Sequence, residues 1–224
     1  VNTPIKLLNH GYIRLVDHMG SDLSIVRSAR VSYDAEPRQD GSDEKLIRYL
    51  MNNRHTTPFE SVVFTFEVKA PIFVFRQWHR HRTWSYNEVS ARYTQLPDEM
   101  YKPDPDNIGV QSKINKQSRD IGDVNHFTNK VEDHFDQIDE KVFKTYKRLI
   151  AENCPRELAR AILPVGTYSK MFATVNLHNL FHFIRLRIHP HAQYEIRVYA
   201  EAMMELISKI VPIATSAFKE TLES

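Results

Sequence analysis

From Val62 to Lys69 the side chains fall into two sets two residues apart, Val62, Phe64, Phe66 and Val68 against Val63, Thr65, Glu67 and Lys69. A period of two puts each set on its own face of a strand, and the apolar set needs a covered face. Pro71 then stands where a first helical residue is tolerated, so a helix is predicted from there to about His81. Short strands are predicted at Ile5–Leu8 and Tyr12–Val16, around an Asn9-His10-Gly11 turn, and another at Thr167–Val175. Asp22 can cap a helix to about Ser32, and a second helix spans Asp43–Asn52 after a polar loop from Asp34 to Ser42. Phe127, Val131, Phe135, Ile138, Val142, Tyr146 and Leu149 mark a long amphipathic helix. Pro155 opens a shorter helix that Pro164 closes. Helices at Leu177–Arg187 and His191–Ile210 end the fold, with Pro212 as terminator. Strands and helices mix without a βαβ rhythm. The expected class is therefore α+β, a mainly antiparallel sheet packed with helices in a single domain over 1–224.

The six glycines are scattered, and no two fall at the spacing of a phosphate-cradling loop. Any nucleotide must therefore be held largely by side chains. A net charge of +2 with 26% charged residues argues against a general polyanion binder, so such contacts must be local. Apolar runs fall well short of the roughly 18 residues of a membrane span, and no signal peptide is read. The lone cysteine, Cys154, excludes an internal disulfide framework and fits a reducing compartment, with cytoplasm as the expectation.

The chemistry concentrates in Arg80-His81-Arg82-Thr83-Trp84-Ser85-Tyr86-Asn87-Glu88-Val89-Ser90-Ala91-Arg92, directly after the apolar run Ile72–Phe75. Guanidinium forks, an imidazole, a carboxylate and hydroxyls lie together there. Arg80, His81 and Arg82 alone could be the basic end of a helix. A solvated face, however, would not interleave Ser, Asn and one carboxylate in this way.

This segment resembles the R-H-R-x-x-S-x-N-E-x-S-x-R signature of flavin-dependent thymidylate synthases at all eight fixed positions. At roughly 5% usage per residue type, chance agreement is remote. The resemblance extends to His55-Thr56-Thr57-Pro58-Phe59-Glu60, Pro155 to Arg160 with Leu163-Pro164, Val175-Asn176, and Leu186-Arg187 to His191-Ala192-Gln193. It implies FAD contacts from Thr57, Arg80, His81, Arg82, Glu88 and Asn176. It also implies contacts to deoxyuridine monophosphate from Gln77, Arg80, Glu88, Val89, Ser90, Arg92 and Arg160, partly across a subunit boundary. Arg187 matches the family's catalytic Arg, and His55 the histidine near folate and flavin. The family often carries Arg near His178 and Asn near His182, both assigned here to flavin contact, while Asn176 keeps the pattern.

Further implications are NADPH as reductant, methylenetetrahydrofolate as one-carbon donor, tetrahydrofolate as product and a homotetramer with shared sites. Zinc binding by His178, His182, His189 and His191 is not expected, because Asn179 stands where a zincin has Glu. Without a basic neighbour other than Arg156, Cys154 reads as packing rather than nucleophile. A nucleotide- or RNA-binding module gripping phosphates and bases with these arginines and Trp78, Trp84 and Tyr86 is the alternative. It does not explain Asn87, Glu88 and Ser90 in register.

Overall fold

The computed structural model describes residues 3–34, 36–38, 41–121 and 127–223. Residues 122–126, Gly122 among them, lie outside these residues, as do Ala35, Gln39 and Asp40 of the expected polar loop. The described side chains also exclude Phe127, read as the first of the long helix's apolar stripe.

In chain order the elements are β1 (Ile5–Leu7), β2 (Gly11–Met19), α1 (Asp22–Arg30), α2 (Ser42–Asn52), β3 (Val63–Pro71), α3 (Ile72–Trp78) and β4 (Ser85–Glu88). Beyond these lie β5 (Val110–Gln111), β6 (Arg119–Asp120), α4 (Phe127–Ala151), α5 (Arg156–Ala159), β7 (Tyr168–Asn176), α6 (Leu177–Arg187), α7 (Tyr194–Ser208) and α8 (Pro212–Glu223). The main sheet runs β1-β2-β3-β7-β4 and is antiparallel at every pairing; β5 and β6 form a separate hairpin. The class is α+β, as expected.

The alternation in β3 sets the layering. Phe64, Phe66 and Val68 are fully buried, with Ile13 and Leu15 of β2 and Met171, Ala173 and Val175 of β7 on the same face. Full burial of one such side chain stabilises by roughly 1.5–3 kcal/mol. The opposite face is polar: Arg14 pairs with Glu67, Thr65 bonds Thr174 at 2.9 Å, and Phe172 is 43% exposed. Helix α7 crosses the covered face, its Tyr199 hydroxyl donating to the Lys69 carbonyl at 2.7 Å. A Cβ on Gly11 would lie 2.2 Å from that hydroxyl and 2.7 Å from the Leu7 carbonyl, so only glycine fits.

Four expectations need correction. Pro212 begins a helix instead of ending the chain's last one, as proline can at a first helical position. Asp22 caps that helix rather than α1: its carboxylate accepts from the amides of Ile213 (2.9 Å) and Ala214 (3.0 Å), while Ser21 is the α1 cap. Helix α3 stops at Trp78, because the Tyr86 hydroxyl donates to the carbonyls of Trp78 and His81 as the chain turns back to add β4. Helix α7 starts at Tyr194, since residues 189–192 form a turn in which the Ala192 amide donates to the His189 carbonyl.

Helix α4 lies against a second, smaller core made by Met100, Phe143, Tyr146 and Ala159. Only the C-terminal half of its stripe is well covered; Ile138 is 48% exposed.

Candidate active site

Two clefts collect seven of the candidate residues, and His81 with Arg187 forms a side-chain pair outside both linings. The first cleft encloses about 520 Å³ and is lined by Arg54, His55, Thr56, His178, His182 and Arg185, with Phe59, Phe181 and Phe218 among its apolar members. Its geometry begins at the end of α2. The His55 amide reaches the Leu50 carbonyl (2.9 Å) and the Arg54 amide the Met51 carbonyl (3.2 Å), with Arg54 left-handed at φ 56°. That is a Schellman closure with arginine where glycine is usual, a strain of order 1–3 kcal/mol. It leaves Arg54 and His55 at the cleft wall.

Across the cleft, Asn176 caps α6 by accepting the Asn179 amide at 2.9 Å, and His178 and His182 are spaced one turn apart on the helix. Arg185 donates to the Thr221 hydroxyl and carbonyl, tying α6 to α8. Among the described residues no carboxylate lines this cleft. Among the described residues, no three His, Cys, Asp or Glu side chains gather closely enough to hold a metal ion.

The second cleft, about 340 Å³, brings together Glu88, Val89, Ser90 and Arg160, with Ser169 and Ile72. Pairing of Glu88 with Met171 hangs β4 on the edge of β7, and the Val89 amide continues the ladder to the Lys170 carbonyl at 2.8 Å. The Ser169 hydroxyl donates to Glu88 Oε1 at 2.7 Å, fixing the carboxylate.

The pair joins buried His81 to half-buried Arg187. Arg187 Nε donates to His81 Nε2 at 3.0 Å and Nη2 to the Gln77 carbonyl at 3.3 Å. The His81 ring sits 6.0 Å from that of His182, which reaches the first cleft. Burial first, then the charge of Arg187 and the proximity of His182, pull the His81 pKa down to about 4. The imidazole is thus neutral near pH 7, and accepting at Nε2 puts its proton on Nδ1. Burial also lowers the pKa of Arg187, yet a guanidinium keeps its charge in proteins.

Arg80, Arg82, Arg92 and Thr57 are exposed and do not line these clefts. Among the described residues neither Arg80 nor Arg82 makes a hydrogen bond or ion pair, and Arg92 Nε lies 3.9 Å from Glu157. Gln77 donates to Gln193 Oε1 at 2.5 Å. Cys154 is half-buried against the second core, at 3.8 Å from the Pro155 carbonyl. Ser169 and Arg54 escaped sequence reasoning: a strand serine carries no motif, and a left-handed arginine is visible only in three dimensions.

Known proteins resemble the chain throughout. A sequence model of the family described as thymidylate synthase complementing protein matches residues 14–213. A flavin-dependent thymidylate synthase of Treponema denticola is 48% identical over 215 residues, covering 96% of this chain and 81% of that protein. One from Wolbachia pipientis wMel is 47% identical, with 96% and 76% covered. One from Thermus thermophilus is 44% identical, with 97% and 79% covered. Among solved structures, a UMP/dUMP methylase PolB from Streptomyces cacaoi bound with 5-Br dUMP superposes with a TM-score of 0.88 at 39% identity, over 96% of this chain and 97% of that one. The same methylase bound with 5-Br UMP gives 0.87, also at 39% identity, with 96% of each chain covered. The motifs, the antiparallel sheet that presents them and these likenesses agree, and the chain belongs to the flavin-dependent thymidylate synthase family.

Proposed function

We propose that the chain, acting as a single domain, converts deoxyuridine monophosphate to deoxythymidine monophosphate without a cysteine nucleophile. Methylenetetrahydrofolate and NADPH are consumed with one proton, and tetrahydrofolate and NADP⁺ are released. The observation that carries this reading is a half-buried guanidinium, Arg187, held through Nε and Nη2 by a neutral histidine and a backbone carbonyl. Among the described residues its Nη1 makes no hydrogen bond, and in this reading that nitrogen serves the ligand. Uracil C5 is a weak nucleophile, and a fixed cation at the N3–C4 amide edge stabilises the negative charge that gathers there as C5 attacks the one-carbon unit.

The first cleft suits FAD. Its cations meet no carboxylate among the described residues and can hold a diphosphate, its aromatic side chains offer area to a ring, and its volume is that of a ligand pocket. His55, His178 and His182 would hold the group there, with Thr57, Asn176, Arg80, His81, Arg82 and Glu88, which stand outside this cleft's lining, completing its contacts. FAD, when bound, supplies the hydride that reduces the transferred carbon to a methyl group. His55 orients the reactants at the cleft wall. Glu88, Val89, Ser90 and Arg160 receive the nucleotide in the second cleft, Gln77 and Arg92 flank it, and the arginines hold its phosphate bidentately.

A homotetramer with shared active sites completes the picture. The polar sheet face and the exposed Arg80, Arg82 and Arg92 are surfaces that a second subunit can use. The cytoplasm is the compartment that fits a free cysteine and these substrates. The test is direct. Purified protein should be yellow, release FAD on denaturation, and form deoxythymidylate only when nucleotide, methylenetetrahydrofolate and NADPH are all present. Colourless protein that binds RNA instead would defeat the proposal.

A further inference from the structure

Glu195, the second residue of α7, is 1% exposed, yet it carries a charge. Its Oε1 accepts from the Tyr101 hydroxyl at 2.5 Å and from Arg119 Nη2 at 2.8 Å. Burial pushes the carboxyl up, but Tyr101 and Arg119 outweigh it and leave its pKa below the usual carboxylate range. A buried ion pair is a costly way to gain stability, so its geometric consequence is the informative part.

The contacts form a chain toward the site. Arg119 belongs to β6, so the ion pair pins the β5–β6 hairpin to the first turn of α7. Tyr101 bonds α7 through its hydroxyl and packs edge-on against Phe73 of α3 at 5.3 Å. Helices α3 and α7 are thereby held at one separation. Across that separation Gln77 of α3 bonds Gln193, the N-cap residue just before α7, and the Gln77 carbonyl receives Arg187.

We infer that Glu195 is a positioning residue: with Arg119 and Tyr101 it sets the Gln193–Gln77 contact that aims the Arg187 guanidinium. This rests on the ring-activating role proposed for Arg187. It assigns a purpose to the 96–121 segment, which otherwise touches neither cleft except through Leu96.

A double-mutant cycle on turnover separates aiming from bulk stability. Arg119→Gln should lower kcat about tenfold, the order expected of a sub-ångström error in placement, with FAD content and KM for NADPH unchanged. Arg119→Lys should recover part of the loss. In a Gln193→Ala background, where the relay is already cut, Arg119→Gln should change kcat by less than about twofold. Tyr101→Phe serves as a milder variant should Arg119→Gln fold poorly, with a smaller loss that also vanishes in the Gln193→Ala background. An undiminished kcat in folded Arg119→Gln, or an equal loss in both backgrounds, overturns the inference. Wild-type protein that forms no deoxythymidylate strikes the proposed function itself, which sets that failure apart.

Discussion

Replacing His81 with glutamine should make the protein's stability less sensitive to acid. The wild-type imidazole is depressed from 6.5 to about 4 by burial, by Arg187 and by His182. A base whose folded pKa is depressed favours folding fully above its unfolded pKa, and the contribution disappears as pH falls through the folded value. Between pH 6.5 and 4 the unfolded chain binds the proton and the folded one does not, so stability falls on acidification. The gap from 6.5 to about 4 corresponds to about 3 kcal/mol, undiscounted for solvent because His81 is only 7% exposed. The physical reason is that a protonated His81 would point an N–H at Arg187 Nε, setting a buried cation against a half-buried one. Urea unfolding of wild type and His81→Gln at pH 7, 6, 5 and 4, with flavin held constant, gives the difference. Wild type should lose about 3 kcal/mol more than the variant over that range, most of it below pH 6.5. Parallel curves would mean that His81 titrates normally and that the neutral-acceptor picture of the Arg187 site is wrong.

Arg187→Ala should retain FAD yet lose deoxythymidylate formation by at least about 10²-fold, with flavin reduction by NADPH less affected; separate half-reaction assays decide this, and full synthesis would remove the residue from the mechanism. Co-refolded mixtures of an Arg92→Ala and an Arg187→Ala protein should regain activity above either parent, because some shared pockets then hold both arginines; mixed tetramers without such activity would refute sharing of these two. Asp22→Ala should lower stability by about 1 kcal/mol through the uncapped α8, visible as a lower urea midpoint at an unchanged slope. No change would show that the amides of Ile213 and Ala214 find water instead.

Strand β3 was legible because one of its faces is sealed, which forces the alternation into the sequence. Strand β4 was harder to read, since Ser85–Glu88 is held by ladder bonds to β7 and not by an apolar face. Asp22 misled because a carboxylate before a helix looks like its cap, and nothing local reveals a partner 191 residues away. Pro212 misled for a related reason: proline both ends and begins helices, and the choice is made by the residues C-terminal to it. At the site, the spacing of Arg80 to Arg92 announced the chemistry but not its division. Glu88 and Ser90 fall in one cleft, His81 is buried with Arg187, and Arg80, Arg82 and Arg92 stay exposed. Folding of α3 and β4 around the Tyr86 hydroxyl makes that division, and no periodicity encodes it.

Thymidylate synthesis by an activated ring, and not by a cysteine adduct, is tested most directly by quantifying the folate products made by Cys154→Ser, a protein with no thiol at all. Turnover is expected within about twofold of wild type, since the thiol is half-buried beside the second core and, among the described residues, its one side-chain hydrogen bond goes to the Pro155 carbonyl and not to a base. One tetrahydrofolate should appear for each deoxythymidylate. A folded Cys154→Ser protein that is inactive, or a wild-type enzyme that releases dihydrofolate in step with deoxythymidylate, would contradict ring activation by Arg187.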